Sequence, residues 1–394
     1  VTVATLHSIE RRRWPLVRMP LAAAAIAWVV GAHVSFAEDR ILLRPGTSVA
    51  TEAAPRISSK GKPRLPELRG SIVETSPDSI TIDTPTHPTK KQWRVAIDDV
   101  LDMLPNGEPE EMRDARGLVL RGDGLAARTQ LEPLMTADRR IERDSLSDTV
   151  RDELAFVDAA SRVTAAMQTG EGLPEALTAT RDYLASHPRS IHAVRMQEWR
   201  GDLLVRLGRF DEAVEAYAAI GDRSAARQIR VARLTGEARR AQRRLDDAAA
   251  DFTRATTIAC DEGDLSALLE KRLAVLGLAR CRIDQGKPEE AITVVRAMLA
   301  QPAPEGSSLG SAYNVLGTAQ RATDGHGRDA IISFLTVDLV HHGVREEHAE
   351  ALFNLVELWN QANHPERARA TRQTLETAYP ESPWARKLTA APPS

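Results

Sequence analysis

Between residues 223 and 244 eight arginines crowd together: Arg223, Arg227, Arg230, Arg233, Arg239, Arg240, Arg243 and Arg244. Guanidinium groups grip carboxylates through paired, charge-assisted hydrogen bonds, so the chemistry on offer is recognition of an acidic or C-terminal peptide. The same residues also suit a solvated helix face in an arginine-biased chain, since only seven of its 52 basic residues are lysine. A second cluster runs from His341 to His348 and holds His341, His342, Glu346, Glu347 and His348. Those side chains can ligate zinc, but Gly343 interrupts the run and none of the usual zinc-hydrolase spacings is present. Acids at a helix start need no metal to explain them, because the helix N-terminus is positively polarised. The cluster reads as a loop followed by a helix start, with no metal and no cofactor. The sequence holds no phosphate-binding glycine loop, nucleophile elbow or Cys-x-x-Cys pair. No catalytic residue is assigned, and the chain reads as non-enzymatic.

The arginines lie inside a repeated pattern. GDLLVRLGRFDEAVEAYAAI from Gly201 and GEARRAQRRLDDAAADFTRA from Gly236 align at an offset of 35 residues. In each copy a Gly is followed by Ala213 or Ala248, then one helical turn later by Tyr217 or Phe252. A looser element recurs along the chain: Gly or a polar residue, an apolar residue two on, then Ala three further. Gly208-x-Phe210-x-x-Ala213 shows it best, and Gly286, Gly325, Arg243, Asn363, Glu171 and Gly122 open the other copies. The Gly ends a first helix in a left-handed conformation that a side chain opposes. The Ala lies where a second helix crosses the first, and the aromatic one turn on faces the same seam. A single pair cannot bury its apolar face, so copies must stack.

This pattern resembles the tetratricopeptide repeat family over roughly residues 108–380. The family's early Trp is absent; Gln197, Ala232, Val275 and Leu352 stand there. The intervals between the tracked alanines, starting at Ala127, are 49, 37, 35, 43, 39 and 38, which implies an irregular superhelix. The resemblance implies an α-solenoid of antiparallel helix pairs over residues 106–386, with a disordered tail at 387–394. It implies a protein or peptide partner, held on a concave face lined by first helices. On that face it places Arg195, Glu198, Asp202 and Arg206, then Arg230, Arg233, Glu237 and Arg240. The five positions assigned to partner binding are Arg195, Arg206, Arg230, Arg233 and Arg240, and an acidic segment is the expected partner.

Ahead of the solenoid the apolar period changes to two, as in strands. Leu68 and Ser71–Val73, Ile80-x-Ile82 and Trp93-x-Val95-x-Ile97 alternate, with a turn at Ser76-Pro77-Asp78, and Val100, Leu101, Met103 and Leu104 close the unit. Residues 66–105 thus read as a small β module, like a barrel of the SH3 or Sm type, with Trp93 in its core. Residues 38–65 are rich in Pro, Ser, Thr, Gly and charge and read as a disordered tether. The apolar trio Ile41-Leu42-Leu43 leaves a docking peptide as the alternative.

Residues 1–37 read as a signal peptide. Arg11, Arg12, Arg13 and Arg18 precede an apolar run of 12, Leu21–Ala32, and Ser35-Phe36-Ala37 places the cut after Ala37. That run is shorter than the roughly 20 residues of a membrane span, so no stable membrane insertion is expected and the destination is the periplasm or the exterior. Cys260 and Cys281 would then meet an oxidising compartment. The helix phasing puts them roughly 24 Å apart at 1.5 Å per residue, so two free, largely buried thiols are expected. The net charge is -3, which gives no reason to expect nucleic acid. The combined expectation is an exported scaffold, mainly α, with a small β-barrel-like module in front. The alternatives are chemistry at the junction of module and solenoid, or a self-associating structural protein.

Overall fold

The computed structural model describes residues 38–45, 47–53, 65–85, 87, 90–303 and 309–390. The expected signal segment, most of the expected tether beyond Ala53, and residues 391–394 lie outside them. Five strands form one antiparallel sheet: β1 (Asp39–Leu43), β2 (Glu67–Thr75), β3 (Ser79–Asp83), β4 (Gln92–Ala96) and β5 (Val100–Leu104), in the order β4-β3-β2-β1-β5. A short helix α1 (Ser48–Glu52) follows β1. The alternating runs become β2 to β4, the turn at Ser76–Asp78 joins β2 to β3, and Trp93 is buried.

The tether reading fails at its start. Asp39–Leu43 is an inner strand, paired with β2 on one side and β5 on the other, and Ile41, Leu42 and Leu43 are all buried. A strand covered on both faces carries a continuous apolar run rather than an alternating one. The module therefore begins at residue 39 rather than 66, and Ile41–Leu43 dock on their own chain. The expected tail needs a similar correction, because the last helix runs from Pro383 to Ala390 and buries Leu388 against Ala349 and Leu375.

The helices form stacked pairs. They are α2 (Glu110–Leu120) with α3 (Gly124–Met135), α5 (Asp148–Thr169) with α6 (Leu173–Ser186), and α7 (Ala193–Arg206) with α8 (Phe210–Ala218). Next come α9 (Ala225–Ala241) with α10 (Leu245–Thr257), and α11 (Leu265–Asp284) with α12 (Pro288–Leu299). The last are α13 (Leu309–Arg321) with α14 (Gly327–Val340), and α15 (Arg345–Gln361) with α16 (Pro365–Ala378). A short α4 (Arg140–Asp144) precedes α5, and α17 (Pro383–Ala390) packs on α15. The unequal alanine intervals have local causes: α4 and the 22-residue α5 fill the longest, and the 20-residue α11 fills the interval of 43.

All seven tracked alanines, Ala127, Ala176, Ala213, Ala248, Ala291, Ala330 and Ala368, are at most 3 % exposed. Gly208, between α7 and α8, has φ +73°. Arg243 and Asn363 hold the equivalent positions and also adopt positive φ, 65° and 59°, so the turn geometry is kept even where a side chain resists it. The aromatic positions fill gaps left by glycine. A Cβ on Gly201 would fall 2.1 Å from Tyr217 Cε1. Phe252 lies between Gly236 of its own pair and Gly277 of the next, where a Cβ would stand 3.0 and 2.3 Å from its Cε1.

The β module is fastened to the helices. Ile191, between α6 and α7, completes the module's core. The Arg227 side chain, only 4 % exposed, donates to Asp78 Oδ1 at 2.7 Å and to the Pro77 carbonyl at 2.9 Å. Arg223 pairs with the other Asp78 oxygen. Asp98 accepts from the hydroxyl of Ser224, the N-cap of α9, and its carbonyl accepts from Ser266 on α11. A carboxylate at the start of a helix meets unpaired N–H groups and the positive end of the helix dipole.

Two predictions follow from this packing. Gly201→Ala drives a methyl into Tyr217 and is expected to lower stability by about 1–3 kcal/mol. In urea unfolding, Tyr217→Leu in the same background should restore part of that loss; a neutral Gly201→Ala contradicts the ring packing. Arg227→Met removes the charge-assisted bonds to the module, an expected loss of about 2 kcal/mol. Amide exchange should quicken in β3 and the turn before it, with α13 to α16 unchanged.

Candidate functional site

First helices touch along much of the stack, α5 with α7 and, beyond a break at which α9 packs on α8, α9 with α11, α11 with α13 and α13 with α15, while second helices keep further apart. First helices therefore line the inner side and second helices the outer. All five sequence-assigned arginines lie on two of these inner helices, α7 and α9.

The structure gives the five different surroundings. Arg230 Nε donates to Glu270 Oε1 at 2.7 Å and Arg233 Nε to Glu270 Oε2 at 2.8 Å, so one carboxylate of α11 ties two arginines of α9. Burial opposes ionisation of Glu270, but Arg233 and Arg230 outweigh it and hold its carboxyl below the ordinary range. Arg240 Nη1 bonds Asp284 Oδ2 at 2.7 Å, again from α9 to α11. These three arginines staple neighbouring repeats together. Arg195, with a 56 % exposed side chain, lies over the Trp199 ring and 3.4 Å from Glu198 Oε2. Arg206 is exposed at the end of α7.

The β module stands over the starts of these helices. Arg44, from the loop after β1, donates to the Asp98 carbonyl at 3.1 Å. Burial, with Arg230 and Arg195 nearby, lowers its pKa. No sequence signal marked Arg44, since residues 38–65 read as a tether. Nor did any mark Glu270 as the partner of Arg230 and Arg233; an acid about one repeat downstream of an arginine pair is the trace it leaves. The C-terminal ends of α7 and α9, with Arg206 and Arg240, lie away from the module.

Asp202, also on α7, accepts from the Tyr217 hydroxyl at 2.7 Å. Burial, then repulsion from Glu198, pushes its pKa up to about 6. The remaining sequence candidates have plainer surroundings. His341 closes α14, Arg345 opens α15, and His348 bonds Tyr379 and Asp338 through its two ring nitrogens at 2.7 Å each. Among the described residues no group of His, Cys, Asp or Glu is placed to hold a metal, and no helix is long and apolar enough to cross a membrane. Cys260 and Cys281 are both free; Cys281 is buried and donates to the Leu245 carbonyl, while Cys260 is half-buried.

Three overlapping stretches, 161–227, 200–264 and 233–307, match the family model of the tetratricopeptide repeat. Residues 161–307 thus match these repeats, and the fold around them is a solenoid of helix pairs with a small antiparallel sheet in front. Among solved structures it is similar to a Rap protein complexed with competence and sporulation factor, at 11 % identity and TM-score 0.46, over 71 % of this chain and 77 % of that one. It is similar to a tetratricopeptide repeat protein from Parabacteroides merdae at 17 % identity and TM-score 0.43, covering 68 % and 91 %. It is also similar to YrrB, described as having an unusual peptide-binding site, at 15 % identity and TM-score 0.31, covering 54 % and 98 %. No curated protein sequence matches the chain.

Asp202 supplies a pH prediction. Its folded pKa is raised, so between about pH 4 and 6 the folded state binds more protons than the unfolded one. Stability on this account falls as pH rises through that window and levels off above it. Asp202→Asn keeps an acceptor for Tyr217 and removes the titration. In urea unfolding at pH 4, 5, 6 and 7, the variant should lose this downward slope relative to the parent; identical slopes would contradict the assignment.

Proposed function

We propose that this is an exported, non-enzymatic scaffold that holds a segment of a partner protein along the inner face of its solenoid. The observation that carries this reading is the division of labour among the inner-face arginines. Arg230, Arg233 and Arg240 tie α9 to α11 and so fix the spacing of the face. Arg195 and Arg206 remain exposed beside them. Exposed guanidinium groups on a fixed frame suit carboxylates of an extended acidic segment. Because the β module covers the starts of α7, α9 and α11, the segment lies toward their C-terminal ends, past Arg206 and Arg240. Tetratricopeptide repeats in other proteins use the same face for peptides.

Export rests on the segment before residue 38. The cut expected after Ala37 lies just before β1, which begins at Asp39, so its removal leaves every described element whole. Cell fractionation with N-terminal sequencing should recover a chain that starts at Glu38 outside the cytoplasm. For the partner, a photo-cross-linking residue is placed at position 206 on the inner face and, as a control, at 332 on α14. Partner peptides should be captured at 206 and not at 332, and Arg195→Glu should reduce capture at 206 several-fold. Equal capture at both sites, or capture indifferent to Arg195→Glu, overturns the groove reading.

A further inference from the structure

Where the β module meets the helices, a cavity of about 210 Å³ remains open to solvent. Its floor is apolar, made by Ile72 of β2, Met103 of β5 and Ile191 of the α6–α7 connection. Its polar side is dominated by acceptors. Glu153 of α5 is 2 % exposed; its Oε1 pairs with His192 Nε2, while its Oε2 makes no hydrogen bond and has Arg116 Nη1 4.0 Å away. Asp152 is its neighbour on the same wall, with a 65 % exposed side chain and His187 Nε2 3.7 Å away. Asp148 and Glu74 stand further out, held by Arg151 and Arg189.

We propose that this cavity binds an ammonium or guanidinium group at the end of a short aliphatic stem. Such a group occurs on a lysine or arginine side chain and on a small diamine. The methylene stem lies on the apolar floor, as long cationic side chains lie along apolar surface. The charged head meets Asp152 and lies in the negative field of the Glu153 carboxylate behind it, whose buried Oε2 makes no hydrogen bond. The other polar groups do not compete for the site. Ser190 Oγ is bonded to the Tyr183 hydroxyl at 2.6 Å, and His192 is stacked on Phe156 with ring centroids 3.5 Å apart. Ser190 and His192 are thus engaged within the chain, and the carboxylates of the wall are left to meet an incoming cation. The volume holds one head and stem and excludes a peptide segment. The site is therefore distinct from the inner face of the solenoid.

Calorimetric titration of the purified protein tests this with four probes: cadaverine, Nα-acetyl-lysine amide, Nα-acetyl-arginine amide, and the uncharged Nα-acetyl-norleucine amide. At least one cationic probe should bind saturably at one site, with the norleucine amide at least tenfold weaker. A preference for cadaverine identifies a free amine as the ligand, and a preference for an amino-acid amide identifies a protein-borne side chain. Glu153→Gln and Asp152→Asn should each weaken binding at least tenfold, and Arg206→Glu should leave it unchanged. Glu153 touches His192 and Arg116, so its variant is read only with an unaltered near-ultraviolet circular dichroism spectrum. Asp152, at the exposed mouth, decides the matter if that variant misfolds. Absence of saturable binding, equal binding of the norleucine amide, or a folded Asp152→Asn protein with parental affinity overturns the proposal.

Discussion

Phe252 lies between two helices that present glycine where the ring meets them, Gly236 of its own pair and Gly277 of the next. Tyr217 against Gly201 and Phe334 against Gly317 repeat the arrangement at other levels of the stack. A bare backbone lets a ring settle where any side chain would hold the helices apart. Burying such a ring stabilises by roughly 1.5–3 kcal/mol. A partly exposed ion pair such as Arg240–Asp284 typically contributes about 0–1 kcal/mol, and in the more buried Glu270 pair the Coulombic gain is offset by desolvation. By that comparison the rings and buried alanines hold the repeats together, and the ties from α9 to Glu270 and Asp284 govern how neighbouring repeats are set. Arginine on the inner face thus serves architecture first, which is why only part of the cluster is left for a ligand.

The β module belongs to the same construction. It shares Ile191 with the helices and hangs on Arg227, whose guanidinium reaches the turn between β2 and β3. Asp98 meets the beginnings of α9 and α11. A sheet this small has little core of its own, and these contacts extend it. The same contacts narrow the inner face at one end and create the acidic cavity at the seam.

Much of the solenoid is legible in the sequence because its rule is local. Gly208, Ala213 and Tyr217 sit within ten residues, and each has one evident reason for its type. Even the exceptions, Arg243 and Asn363, keep the backbone geometry expected at their positions. What escaped the sequence is long-range. Ile41–Leu43 looked like a fragment too small to order itself, because the strands that flank it come much later in the chain. Arg230 and Arg233 looked like free cations, because nothing nearby in sequence names Glu270 as their carboxylate. The helices that carry the assigned arginines were legible; the pairing of three of them with the chain's own acids was not.

The distance along the chain between the module and its anchors governs when each part can form. β1 has no neighbours until β2 and β5 follow, and Pro77 waits another 150 residues for Arg227. Closing loops of that length carries an entropic cost that local helix pairing does not. Until α9 and α11 follow, the sheet therefore lacks the contacts that fasten it to the helices. The finished arrangement arrives only with α9 and α11, so the module is made ahead of the helices that secure it.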